Sequence, residues 1–190
     1  MSDKIARGPN FLYAREYVIS THGEGVWNEV LKKLPAEHAD VWRGTLLISS
    51  EYPFPAFKEM VRAWSEITGG TNRDTTANLY GFIADRSLNT VYRFFLRLSQ
   101  PAFVLRNFPK LWERFFTAGT VEVPVAEKGH AVIRFTLPEV FQDWLEPACY
   151  GYSRKAIEMA GGRDVAMRPS GPPSLSDGTL VAAFDLTWTE

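Results

Sequence analysis

The stretch Thr120–Trp188, TVEVPVAEKGHAVIRFTLPEVFQDWLEPACYGYSRKAIEMAGGRDVAMRPSGPPSLSDGTLVAAFDLTW, changes its hydrophobic period twice, from strand to helix and back. Val121, Val123 and Val125 alternate with Thr120, Glu122 and Pro124. After Glu127-Lys128-Gly129, Ala131, Ile133, Phe135 and Leu137 alternate with Val132, Arg134 and Thr136. Alternation on both sides of a short Gly-containing turn is the pattern of a β-hairpin. From Thr136 or Pro138 to about Ala160 the apolar residues Phe141, Trp144, Leu145, Ala148, Cys149, Tyr152, Ala156 and Met159 recur at helical spacing, and Gly161-Gly162 stops the helix. Asp164 to Arg168 reads as a short strand and Pro169 to Gly178 as a loop. Thr179 to Thr189 reads as a last strand with Leu180, Ala182, Phe184, Leu186 and Trp188 on one face. The segment therefore predicts ββαββ, a four-stranded antiparallel sheet with one helix between its hairpins.

Working outward, the chain before Thr120 reads almost entirely as helix. Residues 1 to 8 look like a loose end. Asn10 is placed to cap a helix carrying Phe11, Leu12, Tyr13, Tyr17, Val18 and Ile19, which His22-Gly23-Glu24-Gly25 breaks. A second helix has Val26, Trp27, Val30, Leu31 and Leu34 on one face, and a third covers Ala36 to Arg43, ended by Gly44. Thr45 to Pro55 reads as a connector. Helices follow with Phe57, Met60, Val61, Trp64 and Ile67, then with Leu79, Tyr80, Phe82 and Ile83. Ser87 to Ser99 is apolar on most of its circumference, as a central buried helix would be. Phe103 to Phe116 is one helix or two divided near Pro109, with Asn107 placed as a cap. The fold class is α+β. The expected organisation is a single domain over residues 1–190, with a helical subdomain at about 9–118 and a sheet–helix subdomain at about 119–190.

Composition narrows the function. A hydrophobic share of 45% with 14% aromatic residues predicts a packed globule. The net charge of −1, without a dense Lys/Arg run, argues against nucleic acid. No apolar run is long enough to predict a membrane span, and the first residues lack a signal-peptide core. The single cysteine, Cys149, allows no internal disulfide, and a cytoplasmic location is expected.

Catalytic and metal motifs are lacking. His22, His38 and His130 have no ligand spacing, and Cys149 has no histidine placed as its base, so no metal and no enzymatic activity are expected. Glu139, Asp143 and Glu146 share a helix face and read as the solvated start of that helix. The two Gly-Gly pairs read as helix stops. The aromatic density between Tyr92 and Trp144 predicts either a well-packed core or an apolar pocket of the kind that holds a small ligand.

The order of elements, with Arg7-Gly8, His22-Gly23, Asn78-Leu79-Tyr80-Gly81, Pro124-Val125-Ala126, Asp143-Trp144-Leu145 and Gly151, resembles the haem nitric-oxide/oxygen-binding (H-NOX) domain. It is also similar to that domain's relatives, the four-vinyl-reductase-like sensor domains and the TRAPP-type trafficking subunits. The nearest likeness is to an uncharacterised myxobacterial family of about this length. The resemblance implies a sensory module, and it also implies where a haem would be held. The axial histidine position of that family falls near Leu105, and no histidine occurs from Ser99 to Gly119. The propionate-gripping Tyr-x-Ser-x-Arg motif corresponds to Phe135-Thr136-Leu137-Pro138-Glu139, which has lost both hydroxyls and replaced the base with an acid. Haem is therefore expected to be absent. Zinc held by several cysteines, as in some four-vinyl-reductase-like sensors, is not expected with the lone Cys149. The expected function is a non-catalytic regulatory module with a small apolar ligand. Its pocket is formed by Tyr92 and Phe95, by Leu105, Phe108 and Trp112, and by Phe141, Trp144 and Cys149. The alternative is a protein-interaction or assembly module with a filled core, docking a partner or a second copy.

Overall fold

A computed structural model describes residues 4–91 and 100–190. Strand β1 (Lys4–Arg7) leads directly into α1 (Gly8–Lys33), followed by α2 (Ala36–Arg43), β2 (Glu51–Pro53), α3 (Phe54–Thr68) and α4 (Asn72–Val91). Then come α5 (Pro101–Arg106), α6 (Phe108–Phe115), β3 (Thr120–Glu127) and β4 (His130–Pro138). A single 3-10 turn (Glu139–Phe141) precedes α7 (Gln142–Met159), β5 (Arg163–Pro169), β6 (Ser174–Ser176) and β7 (Thr179–Thr189).

The predicted sheet forms, all antiparallel, in the order β3-β4-β7-β5, with α7 inserted between its two pairs of strands. The alternation read from sequence is the alternation of burial. Ala131, Ile133, Phe135 and Leu137 point inward with Leu180, Ala182, Phe184 and Leu186, while Arg134 and Thr136 face outward. The hairpin turn carries Gly129 at φ 75, the left-handed conformation a tight turn requires. In this sheet one short strand was not expected. Ser174–Ser176, in the loop between β5 and β7, pairs with Thr179–Val181 as β6.

Several boundaries differ from expectation. Within the expected loose end, Lys4–Arg7 is a strand: it pairs with Glu51–Pro53, which also gives the Thr45 to Pro55 connector a strand. Ala6 bridges to Phe116, and the Thr117 amide donates to the Ile5 carbonyl at 3.0 Å, so β1 is held from both sides. Asn10 does not cap α1. The helix begins two residues earlier with Pro9 in its first turn, where a missing N–H costs nothing, and Asn10 is fully buried inside it. α1 does break at Gly23, whose φ of 85 is not helical. Asn107 divides α5 from α6, but its amide donates back to the Phe103 carbonyl at 2.9 Å instead of capping forward. The helix foreseen from Thr136 or Pro138 starts later, because β4 continues to Pro138 and the 3-10 turn intervenes. α4 runs through Ser87 to Val91, and the rest of the apolar run to Ser99 lies outside the described residues.

One buried cluster links the halves. α4 lies along α7, which covers the inner face of the sheet, while α5 and α6 close it at β3. At the meeting point of the two halves the rings of Phe54, Phe116, Phe141 and Trp144 pack with centroids 4.6 to 5.6 Å apart.

Candidate functional site

The site is built from one strongly amphipathic helix. α6 presents Phe108, Leu111, Trp112 and Phe115 inward at spacings of three and four, with Phe116 just after its end. α7 answers with Trp144, Leu145, Ala148, Cys149 and Tyr152, and β4 and α4 add Phe135 and Tyr80. These side chains surround a cavity of about 30 Å³. That admits one or two water-sized molecules and is well below the roughly 300 Å³ at which drug-sized sites begin. The rings around it are in direct contact: Trp112 lies 5.6 Å from Phe135 and 4.4 Å from Phe116.

The cavity's polar atoms are mostly engaged elsewhere. The Tyr80 hydroxyl donates to Asn10 Oδ1 at 2.9 Å, Tyr152 pairs with Ser87 Oγ at 3.1 Å, and Trp112 Nε1 donates to the Ala118 carbonyl at 3.1 Å. Trp144 Nε1 is buried without a hydrogen-bond partner among the described residues, and its indole meets the Phe54, Tyr80 and Phe116 rings edge-on. Burial pushes the Cys149 thiol up to about 12, and burial also raises the Tyr80 and Tyr152 phenols. A neutral thiol beside Ser153 Oγ at 3.9 Å is a poor nucleophile, and the hollow around it is lined mainly by apolar side chains.

Of the residues singled out in the sequence, Phe108, Trp112, Trp144 and Cys149 meet around this cavity. Leu105 and Phe141 are fully buried beside it but do not line it. Tyr92 and Phe95 lie outside the described residues. Sequence reasoning missed Tyr80, Leu111, Phe115, Phe116, Phe135, Leu145, Ala148 and Tyr152 as lining. The spacing of Phe115 from Phe108 and of Tyr152 from Cys149 and Ala148 placed them on the right faces, whereas nothing local pointed Tyr80 at α7. At the positions matching the haem motifs, Leu105 is fully buried on α5, Phe135 and Leu137 point into the core, and Glu139 is exposed beyond the strand.

Histidines stand apart from the cavity. His22 is exposed beside Trp64, and His130 pairs with Asp185 Oδ1 at 3.0 Å on the outer face of the sheet. Among the described residues no three of His, Cys, Asp or Glu converge as a metal site. A polar groove of about 420 Å³ runs along α4 and α7; its Arg154 pairs with Glu158 at 2.8 Å, its Lys155 with Asp85 outside the groove at 3.1 Å, and its Asp74 accepts from the Thr71 hydroxyl at 2.7 Å. No helix among the described residues is long and apolar enough to cross a membrane.

No family model and no curated protein sequence matches the chain. Solved structures do. A Cs H-NOX mutant carrying 4-cyano-L-phenylalanine superposes with a TM-score of 0.75 at 9% identity, covering 97% of each chain. An Fe(II) unliganded H-NOX protein from K. algicida, in a mutant form, gives 0.73 at 14% identity, again over 97% of both. An oxygen-binding H-NOX domain related to soluble guanylate cyclases, in its oxygen complex, gives 0.68 at 9% identity over 96% of this chain and 93% of that one. With identities this low over almost the whole of both chains, the likeness is one of architecture: this protein has the H-NOX fold.

Proposed function

We propose that this chain is a haem-free, non-catalytic sensory or regulatory module whose ligand is a small apolar molecule held between α6, α7 and β4. The observation that carries the reading is the cavity lined by aromatic and aliphatic side chains where the helical half meets the sheet half. The fold supports it, since the oxygen-binding H-NOX domain of like architecture is a ligand binder. A ligand there would act by favouring one packing of the helices on the sheet, and only as far as it binds that packing better.

The residues present do not fit a haem. Leu105 offers no ligand atom, and Phe135 and Leu137 offer no hydroxyl for a propionate. Glu139 would repel a propionate, and the hollow of about 30 Å³ has no room for a macrocycle. The same small volume favours a second reading, an assembly module whose core is filled by its own side chains.

Native mass spectrometry of the purified protein separates the two. A reproducible added mass of a small neutral molecule supports the first, and a bare dimer supports the second. A Soret band after incubation with haem would overturn the haem-free reading.

A further inference from the structure

Leu145 lines two hollows at once. On one side it faces the core cavity. On the other it walls a groove of about 210 Å³ between the first turns of α7 and strand β7. The groove's sheet wall includes Leu180, Ala182 and Phe184, and the loop of Pro169 to Pro173 forms its far side, fastened where the Ser170 amide donates to the Ala183 carbonyl at 2.9 Å. Leu145 itself is 2% exposed and is the one residue, among those described, that lines both spaces. The two volumes differ in what they admit. A dry apolar cavity of roughly 150 Å³ takes up benzene; the groove exceeds that and the core cavity falls far short of it.

We propose that the groove between α7 and β7 is an antechamber for a neutral apolar molecule of about one aromatic ring, and that Leu145 is the gate between it and the core cavity. This rests on the reading of the core cavity as a ligand site. The class of ligand follows from the walls. Glu146 at the rim is engaged by Arg73 at 2.7 Å, leaving no unpaired charge on the groove's walls to receive an ion. A leucine on a helix exchanges between two staggered rotamers, so the partition can open without moving the helix. When it swings aside the hollows become one space, large enough for the ring that the core cavity alone excludes.

The test uses benzene on the intact chain, with affinity from calorimetric titration. The unmodified protein is expected to bind benzene weakly. Leu145→Ala, which joins the hollows, is expected to bind it roughly tenfold more tightly, since an enlarged apolar cavity gains contact with the ring. Ala182→Leu, which fills the groove from β7 without touching the core cavity, is expected to abolish binding in the otherwise unmodified chain. Unchanged affinity in either variant overturns the proposal. Xenon-pressurised crystals of the unmodified protein provide a readout that needs no substitution. Xenon on both sides of Leu145 supports the gate, and xenon in the core cavity alone leaves the ligand reading standing but removes the antechamber. Xenon in neither hollow overturns both.

Discussion

Single residues tie distant parts of this chain together, and Asn10 does so most economically. Fully buried, it donates through Nδ2 to the Phe115 carbonyl at 2.7 Å and accepts the Tyr80 hydroxyl at 2.9 Å, so one amide joins α1, α4 and α6. A buried polar group left without its partner costs about 1–3 kcal/mol. Tyr80→Phe orphans Asn10 Oδ1 and should cost about that much. Asn10→Ala orphans two groups and should cost more, and the double variant should fall short of the sum because both changes remove the same bond. Urea midpoints of the four proteins check this; strict additivity would show that the bond contributes nothing. Asp185 makes a prediction about pH. Its carboxyl is held below its ordinary 3.8, first by the hydrogen bond from His130 and then by that from Ser170. A pKa depressed in the folded state stabilises above the unfolded value and is lost as pH falls through the folded one. Stability should therefore decline below about pH 4, and Asp185→Asn should flatten that decline, as thermal melts across acid pH will show. Neither residue's role was legible in the sequence. Asn10 has the composition of a cap, and only its distant partners reveal otherwise.

At the scale of elements, long periodic segments were legible and short ones were not. The hairpin, α7, β7 and the break at Gly23 follow from alternation, helical spacing and glycine placement. β1, β2 and β6 have four, three and three residues, too few to show a period, and each exists because a partner strand or the Ala6–Phe116 bridge supplies its pairing. The candidate site was legible to the same degree. α6 and α7 announced their inward faces, while Tyr80 and Phe135 reach the cavity only through tertiary packing. The crossing of α4 and α7 illustrates a contact that no periodicity encodes. A Cβ on Gly151 would lie 2.0 Å from the Ala77 carbonyl oxygen, so the backbones touch there. In an isolated helix Gly→Ala would be favourable by about 1 kcal/mol. Here the clash is with backbone that cannot rotate away, and overpacking costs typically 1–3 kcal/mol or more. Gly151→Ala should therefore destabilise despite its better helix propensity, lowering the denaturation midpoint. A rise in the midpoint would mean that the helices separate freely at this point.

For the whole molecule, the question is whether the helical half and the sheet half are separate bodies. Their elements are consecutive in sequence, which by itself would allow two independent units. The packing argues for one. Phe54 from α3, Phe116 after α6 and Trp144 from α7 all close on Phe141, at 4.6, 5.2 and 5.6 Å between ring centroids, and Phe141 is fully buried. Lys58 on α3 also donates to the Val140 carbonyl in the same turn at 3.0 Å. The chain thus threads one aromatic residue of the sheet half into a socket made largely by the helical half, and neither half retains that packing alone. Removing the ring should cost about 3–5 kcal/mol, the usual range for a buried Phe→Ala. If the halves were independent, Phe141→Ala would weaken the sheet half and leave the helices melting as before. If they share one core, the variant should lower a single transition in which far-UV circular dichroism, dominated by helix, and tryptophan fluorescence move together. Coincident curves in both proteins, displaced as one, are the expected result. A helical signal that keeps its wild-type midpoint while fluorescence shifts would divide the molecule at Thr120, and with it the mechanism by which a ligand between the halves could report on both.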